Sequence, residues 1–447
     1  MLAKFKKKYI GDWDFYQKYL LLAIPMILQN AITNLVSFLD NIMVGQLGTE
    51  QMSGVAIVNQ LIFVYNLAIF GAVSAASIFG AQYFGKGNHK GHMYSFRFKL
   101  YATLLVTGGA ILLFLTKGSA LISLYLTDTV GNGATDLALQ YGLEYLAIMM
   151  VGLIPFAVNQ SYATNIKETG QTFIPMLASF VAVGTNAILD YLMIFGIGPF
   201  PELGVQGAAL ATVIARYIEA LIVVIWAHIH RGKNRYLEGA YTGFGIPLAE
   251  LKAILIKGFP LMMNEVLWAA GMTTVTQCYS VRGLDVVAGL NIASTITNLF
   301  NIVYLQLGSC ISIVVGQYLG AGKLEDAKDA DNKMIVFSVF CCVIMAALMF
   351  VVGGFFPGIY NTTEEIRELA TSFIAVSAII MPFCAFSHAS YFTLRSGGKT
   401  VVTFLFDSVF TWVIVVPAAY LLAHFTGLGI VGIYFLVQGT ELIKVII

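Results

Sequence analysis

The chain has 447 residues, of which 58% are hydrophobic and only 11% are charged. Soluble domains usually carry about 25% charged residues, because their surfaces must be hydrated. This composition therefore excludes an ordinary soluble protein and indicates one that crosses a membrane many times. The formal net charge of +1 offers no attraction for nucleic acid, so we expect no nucleic-acid partner.

Apolar runs long enough to cross a hydrocarbon layer of ~30 Å recur along the chain, separated by short polar connectors. They predict an all-α polytopic fold with about twelve transmembrane helices. The predicted spans are residues 17–43, 53–82, 94–117, 137–162, 171–196, 204–229, 251–279, 286–317, 333–355, 367–392, 401–423 and 428–446.

Basic residues concentrate before the first span and in the connectors after the second, sixth, eighth and tenth spans, while the intervening connectors are acidic. We expect the protein to lie in the inner (plasma) membrane of the cell. By the positive-inside rule, both termini are then expected in the cytoplasm. The basic set includes Lys4, Lys6, Lys7, Lys8, Lys86, Arg231, Lys323 and Arg395, and the acidic set includes Glu50, Asp128, Asp136, Glu202, Asp285 and Glu364.

The chain contains an internal repeat. Residues 45–88 align without gaps to residues 280–323 at a constant offset, and a Gln-Tyr-x-Gly-x-Gly signature occurs in both. A single glycine could simply allow close helix packing, but a duplication of half the chain predicts two parallel six-helix lobes, an arrangement typical of transporters. We expect an N-terminal lobe at 1–230, a cytoplasmic linker at 231–250 and a C-terminal lobe at 251–447.

Four polar side chains fall at similar depth in the predicted N-terminal lobe: Asp40, Asn186, Asp190 and Thr212. A charge inside a bilayer is costly, about 2.5–3.5 kcal/mol on insertion scales, so it indicates a function or a partner. The oxygens of these side chains suit Na+, and two neighbouring carboxylates can equally hold a proton. The structural alternative is an interfacial Asp40 and a helix cross-link through Asn186 and Asp190.

Several other charged residues lie at membrane depth, and each is expected to have a partner or a function there. Glu265, in the seventh span, is a candidate for substrate or second-cation contact, or for a packing hydrogen bond. We expect Asp407 to reach the interface or to pair with a base such as Lys399. Arg216 and Glu219 are three residues apart and are expected to neutralise each other.

Several of these segments together resemble the multidrug and toxic compound extrusion (MATE) transporters. Residues 40–48, Asp-Asn-Ile-Met-Val-Gly-Gln-Leu-Gly, resemble the first-helix signature of that family. Residues 80–87 and 316–322 resemble the second-helix exit and its repeat. Asn186 with Asp190 resembles the fifth-helix polar pair, and residues 207–212 resemble the sixth-helix run. The likeness covers essentially the whole chain.

The resemblance implies two six-helix lobes in a V shape that export amphipathic organic, often cationic, compounds against entry of H+ or Na+. It also implies an N-lobe cation site at Asp40, Asn186, Asp190 and Thr212, with Na+ as one candidate ion. Glu265 would match a seventh-helix acid found in part of the family. Residues 374–392 of the tenth span contain no Asp or Glu, which puts a C-lobe cation site in doubt.

Asn159 is a further candidate, as a residue that lines the cavity of the N-terminal lobe. The predicted function is a secondary-active multidrug exporter working by alternating access. Its partners would be small organic substrates and the lipid bilayer, with a monomeric chain and no cofactor beyond the coupling ion.

The composition also permits two other functions, an embedded enzyme and a flippase. The sequence lacks the GxxxxGK(S/T) loop that would indicate ATP binding, and it lacks the HExxH or nucleophile motif that would indicate an enzyme. The alternative transporter is a lipid-linked oligosaccharide flippase of related architecture. Such a protein would need several bases to hold a pyrophosphate, and Arg216 is the one base clearly at mid-membrane depth.

Overall fold

The computed structural model describes residues 8–126, 132–243 and 245–447, and within these residues the chain is helical without a β-strand. The predicted all-α fold is therefore confirmed. Lys4, Lys6, Lys7 and Asp128, which belong to the predicted charge alternation, lie outside the described residues.

The first half of the chain forms long helices joined by short turns. The helix that ends at Met149 and the helix that begins at Leu153 are continuous through a 3-10 turn at Met150–Gly152. The helices are α1 (Trp13–Gly45), α2 (Thr49–Gly85), α3 (His89–Ser123), α4 (Asn132–Met149), α5 (Leu153–Glu168), α6 (Phe173–Phe195) and α7 (Val205–Ile229).

The second half repeats this pattern, with an irregular stretch near its end. Two π-helical turns, Leu405–Val409 and Thr411–Val415, lie between α12 and α13. The helices are α8 (Leu248–Ser280), α9 (Leu284–Gly320), α10 (Leu324–Gly353), α11 (Glu364–Ser396), α12 (Thr400–Phe404), α13 (Val416–Phe425), α14 (Ile430–Gly439) and α15 (Glu441–Ile446).

Eleven helical segments of the described chain are long and apolar enough to cross a membrane, so the protein is a multi-pass membrane protein. The twelfth predicted span, 428–446, consists of α14 and α15, which meet at Thr440. Thr440 keeps right-handed helical backbone angles, φ −60° and ψ −21°, and its amide and hydroxyl both donate to the carbonyl of Val437. The helical path therefore continues through this residue as a tighter turn of the 3-10 type.

The chain divides by its contacts into two compact units. The N-unit comprises Leu28–Gly80 and Asn88–Ile254, and the C-unit comprises 8–27, Ala81–Gly87 and Leu255–Ile447. The predicted lobe limits at 230 and 251 remain predictions about the repeat. The contact boundary differs because α1 and the end of α2 contribute residues to the C-unit.

The segment predicted as a linker, residues 231–250, is a packed part of the N-unit. Arg97 of α3 donates to the carbonyls of Gly239, Ala240 and Gly245 at 2.6, 2.9 and 2.8 Å. Tyr236 is almost fully buried in a core with Phe96 and Ile166. Hydrogen bonds from a charged donor are stronger than neutral ones, so this segment is held firmly against α3.

Each unit has its own apolar core. In the N-unit, α2, α5 and α6 contribute Val58, Leu153 and Ile194 to one cluster. In the C-unit, α9 and α11 pack through residues such as Phe300 and Phe373. These cores fix the rotation of each helix, and so decide which polar side chains meet.

Candidate cation site

Three helices of the N-unit bring together the four side chains predicted to bind a cation. Asp40 lies near the end of α1, Asn186 and Asp190 lie one turn apart on α6, and Thr212 lies on α7. The Nδ2 of Asn186 donates to the Oγ1 of Thr212 at 3.4 Å. The carboxyl groups of Asp40 and Asp190 are close enough to interact electrostatically. We call these two residues the Asp pair.

The Asp pair has unsatisfied acceptor oxygens in a buried position. Asp190 is only 1% exposed. Both of its carboxyl oxygens and the Oδ1 of Asp40 are buried without a hydrogen-bond partner of acceptable geometry. If Asp40 and Asp190 were both ionised, the two neighbouring carboxylates would repel each other, and each would lack solvation by water. Binding of a proton or a small cation removes that penalty.

The donor set fits either ion. The carboxylate oxygens, the hydroxyl of Thr212 and the amide oxygen of Asn186 are hard ligands of the kind that alkali and alkaline-earth cations prefer. A single proton shared by Asp40 and Asp190 would equally satisfy the pair.

Tyr145 of α4 is a member of this neighbourhood that the sequence did not indicate. Its buried hydroxyl lies in the electrostatic field of Asp40, Asp190 and Arg216. It donates to the Oδ1 of Asn59 on α2 at 3.4 Å. Tyr145 is one of 22 tyrosines, and nothing in its local sequence separates it from the others.

Arg216 and Glu219 attract each other electrostatically, as predicted, but each takes its direct contacts from another helix. Within the described part of the N-unit they form no ion pair, although both lie on α7. Arg216 instead donates to the carbonyl of Gly152 at 3.4 Å and lies 5.1 Å from the ring centroid of Phe156. Glu219 accepts a hydrogen bond from Ser179 at 2.5 Å. Neighbouring helices thus supply a partner that the spacing along one helix does not show.

Asn159 does not join the Asp pair. It is buried on α5, 3% exposed, and its side chain faces the carboxyl group of Glu219. Its predicted place in a substrate cavity stays a prediction.

Glu265 belongs to the C-unit and lies in a second region of charged side chains. It is half-buried on α8, in the field of Arg395 and Asp407. Asp407 pairs with a base, as one of the two predicted alternatives states, but that base is Lys444 rather than Lys399. Asp407 accepts from the Nδ2 of Asn264 at 2.8 Å and lies 3.8 Å from the Nζ of Lys444. α8 and α15 are distant in sequence, so local spacing could not reveal these partners.

The two units differ in how their acids are neutralised. In the C-unit, Lys444 contacts both Asp407 and Glu441, the latter at 2.8 Å. In the N-unit, no Lys or Arg of the described residues forms an ion pair with Asp40 or Asp190. The Asp pair thus differs from Asp407, which has Lys444 as a counter-ion.

The family model MatE matches residues 25–192 and residues 260–421, which together are well over half of the chain. The chain belongs to the MATE family. The two matches begin 235 residues apart, the same offset as the internal repeat, so this bacterial-type MATE transporter is duplicated as predicted.

Individual relatives agree with this assignment. A probable multidrug resistance protein NorM from Thermotoga maritima is 24% identical over 413 residues, covering 92% of this chain and 86% of the relative. A MOP superfamily transporter from Pyrococcus furiosus has a TM-score of 0.86 at 20% identity, covering 98% and 94% of the two chains. A MATE protein in the bent conformation has a TM-score of 0.85 at 20% identity, covering 97% and 93%. The structural likenesses establish the fold.

Proposed function

We propose that this MATE transporter is a secondary-active multidrug exporter that couples efflux of amphipathic organic, often cationic, compounds to entry of H+ or Na+. The observation that supports coupling is the contact between the carboxyl groups of Asp40 and the almost fully buried Asp190, with which no Lys or Arg of the described residues forms an ion pair. Family membership and the multidrug resistance relatives support the choice of substrates.

In the proposed cycle, the Asp pair binds its cation from the outside. Cation binding favours a conformation with lower affinity for the substrate, so the substrate leaves. The cation is released inside, and substrate rebinds from the cytoplasm or the inner leaflet. A cation can drive this cycle only to the extent that its affinity differs between the two conformations. A site that changes its proton or cation occupancy meets that requirement.

The decisive experiment uses purified protein in proteoliposomes loaded with a fluorescent organic cation. A pH gradient and a Na+ gradient are imposed separately on the wild type, on Asp40→Asn and on the control Asp136→Asn. Asp136 is an exposed acid of α4 in the same unit. We expect one gradient to drive efflux in the wild type and in Asp136→Asn, and the Asp40→Asn protein to lose that response.

Two results would contradict the proposal. Gradient-driven efflux by Asp40→Asn at the wild-type rate would remove the Asp pair from the coupling mechanism. The absence of efflux under either gradient, from folded wild-type protein, would argue against an exporter. A lipid-scrambling assay would then test the flippase alternative.

We further propose that the chain acts as a monomer in the bacterial plasma membrane, with both termini in the cytoplasm. The orientation of the termini is supported by the alternation of basic and acidic connectors. Reporter fusions that are active on only one side of the membrane, placed at each terminus, test the orientation. A reporter active outside the cell at either terminus would contradict it.

A further inference from the structure

The helices that carry the Asp pair also carry a second polar group. Gln29 of α1 donates from its Nε2 to the Oγ of Ser179 on α6 at 2.7 Å. Ser179 in turn donates to the Oε1 of Glu219 on α7 at 2.5 Å. Asn159 of α5 faces the same carboxyl group. We call Gln29, Asn159, Ser179 and Glu219 the Glu219 group.

The two polar groups are in register on α1 and α6. Gln29 and Ser179 are 150 residues apart, and the Asp pair, Asp40 and Asp190, has the same separation. Gln29 therefore precedes Asp40 on α1 by the same number of residues as Ser179 precedes Asp190 on α6. This spacing is about three turns, or roughly 16 Å along the helix axis. Three complete turns return to the same helix face. The Asp pair and the Glu219 group thus lie on one polar stripe, at two levels.

α7 follows the same arrangement. Thr212, which contacts the Asp pair through Asn186, and Glu219 are about two turns apart and lie on one face of the helix. A face that is polar at two levels is unusual for a helix that crosses a membrane. Each level needs a physical reason, because polar groups are costly there.

The Glu219 group has more acceptors than donors. The side chain of Asn159 is only 3% exposed, and its Oδ1 has no hydrogen-bond partner. The Oε1 of Gln29 is likewise buried without one. A buried acceptor without a donor typically costs about 1–3 kcal/mol. The Oδ1 of Asn159 is therefore an acceptor available beside the Glu219 carboxyl group when that group carries a proton.

The side chains could accommodate that proton. With Glu219 ionised, the hydroxyl of Ser179 and the amide nitrogen of Asn159 point toward the carboxylate. With Glu219 protonated, a half-turn of the Asn159 amide would place Oδ1 where it accepts the new O–H. The nitrogen and oxygen of an amide exchange places in this way without other change in shape.

The cationic groups around Glu219 are compatible with a change of its charge. Lys167 of α5 and Arg216 of α7 both attract the carboxylate electrostatically. The closest partner of the carboxyl group is nonetheless the neutral hydroxyl of Ser179. A neutral hydrogen-bond partner stabilises the ionised form less than a contacting cation would.

We propose that Glu219 is a second proton-binding site of the N-unit, held by Ser179, Gln29 and Asn159 and distinct from the Asp pair. One proton passes from water to a carboxyl oxygen of Glu219 and returns to water later in the cycle. This inference rests on the proposed cation-coupled function, because the site is a second station of the same coupling process. It assigns to Glu219 a role that family membership does not supply.

The first test measures protonation directly and requires no transport. Infrared difference spectra of the purified full-length protein are recorded during a pH titration, following the C=O band of protonated carboxyl groups. The proteins are the wild type, Glu219→Gln, Asp40→Asn and Asp136→Asn. We expect Glu219→Gln to lose one band and to retain the band that Asp40→Asn removes. A Glu219→Gln spectrum identical to that of the wild type would overturn the inference.

Because Asp40→Asn is measured in parallel, the two hypotheses fail separately. Loss of a band only in Glu219→Gln would support the second site and contradict protonation of the Asp pair. Loss only in Asp40→Asn would do the reverse. Repeating the titration with Na+ replaced by choline distinguishes the ion. Suppression of the Glu219 band by Na+ at constant pH would overturn the assignment of the site to a proton.

The second test uses Ser179, so that it does not depend on folding of Glu219→Gln. Ser179→Ala removes the hydroxyl, whereas Ser179→Thr retains it as a matched control. We expect Ser179→Ala to change the pH at which the Glu219 band appears and to change the pH profile of efflux in the same direction, with Ser179→Thr restoring both. A purely structural role would lower protein stability without moving either profile, and that result would overturn the proposal.

Discussion

Gly85 lies against the backbone of Gln317, and Gly320, its equivalent in the second half of the chain, lies against the backbone of Gln82. The duplicated Gln-Tyr-x-Gly signature therefore packs against its own repeat within the C-unit. A Cβ atom at either glycine would overlap the opposing main chain. Small residues allow this close approach of helices.

This contact predicts that Gly85→Ala and Gly320→Ala each destabilise the protein. Added methylene groups in a packed interior typically cost about 1–3 kcal/mol. Thermal unfolding of the detergent-solubilised protein should show a lower Tm for both variants. Gly108→Ala is the control, because no atom lies within 4 Å of a Cβ placed there. Equal Tm values for all three variants would contradict the proposed close packing.

Asp190→Asn is expected to separate stability from activity. The amide is nearly the same size as the carboxyl group but cannot ionise, and no Lys or Arg of the described residues forms an ion pair with Asp190. The Tm should stay the same or rise, while gradient-driven efflux is lost. Such opposition is common where a destabilised group performs the function. Asp136→Asn, an exposed substitution, should change neither quantity. A strongly lowered Tm for Asp190→Asn would mean that Asp190 is structural.

Lys99→Met is expected to be among the most destabilising single substitutions in the N-unit. The Nζ of Lys99 lies 2.5 Å from the Oε1 of Glu168, and the two side chains are 0% and 2% exposed. Breaking a buried ion pair by removing one partner costs about 3–5 kcal/mol, because it leaves a buried charge without its counter-ion. Methionine keeps the length and the apolar stem of lysine, so packing is largely preserved.

The control for this substitution is Lys328→Met. Lys328 contacts Glu325 at 2.9 Å, but these side chains are 71% and 87% exposed. Exposed pairs contribute about 0–1 kcal/mol. Chemical denaturation should therefore show a large loss of stability for Lys99→Met and little change for Lys328→Met. Similar losses for both would show that burial does not determine the strength of the Lys99 pair.

Asn264→Ala tests the polar centre of the C-unit. Asn264 donates to Asp407 at 2.8 Å, and its Oδ1 accepts from the hydroxyl of Ser408 at 2.7 Å. Removing it leaves buried groups unsatisfied, which typically costs about 1–3 kcal/mol. We expect a lower Tm for Asn264→Ala and an unchanged Tm for Asn361→Ala, an exposed residue before α11. An unchanged Tm for both would show that Asp407 finds other partners.

Both predictions of local charge pairs miss the contacts from other helices. Spacing along one helix predicts that Arg216 and Glu219 act on each other, and nearness in sequence suggests Lys399 as one base for Asp407. Glu219 also contacts Ser179, and Asp407 contacts Asn264 and Lys444. In a bundle of long helices, the nearest polar group is often on another helix. Spacing along one helix therefore predicts a shared face but not the partner.

The membrane-spanning helices, the duplication of the chain and the residues of the expected cation site can all be predicted from the amino-acid sequence. A bilayer leaves backbone groups no partner except within helices, so apolar length alone predicts these helices. The contact between Asp40 and Asp190, and the grouping of Gln29, Ser179 and Glu219 at another level, are visible only in the folded protein. Those contacts depend on the rotation of each helix about its axis. Side-chain packing between segments far apart in sequence sets that rotation.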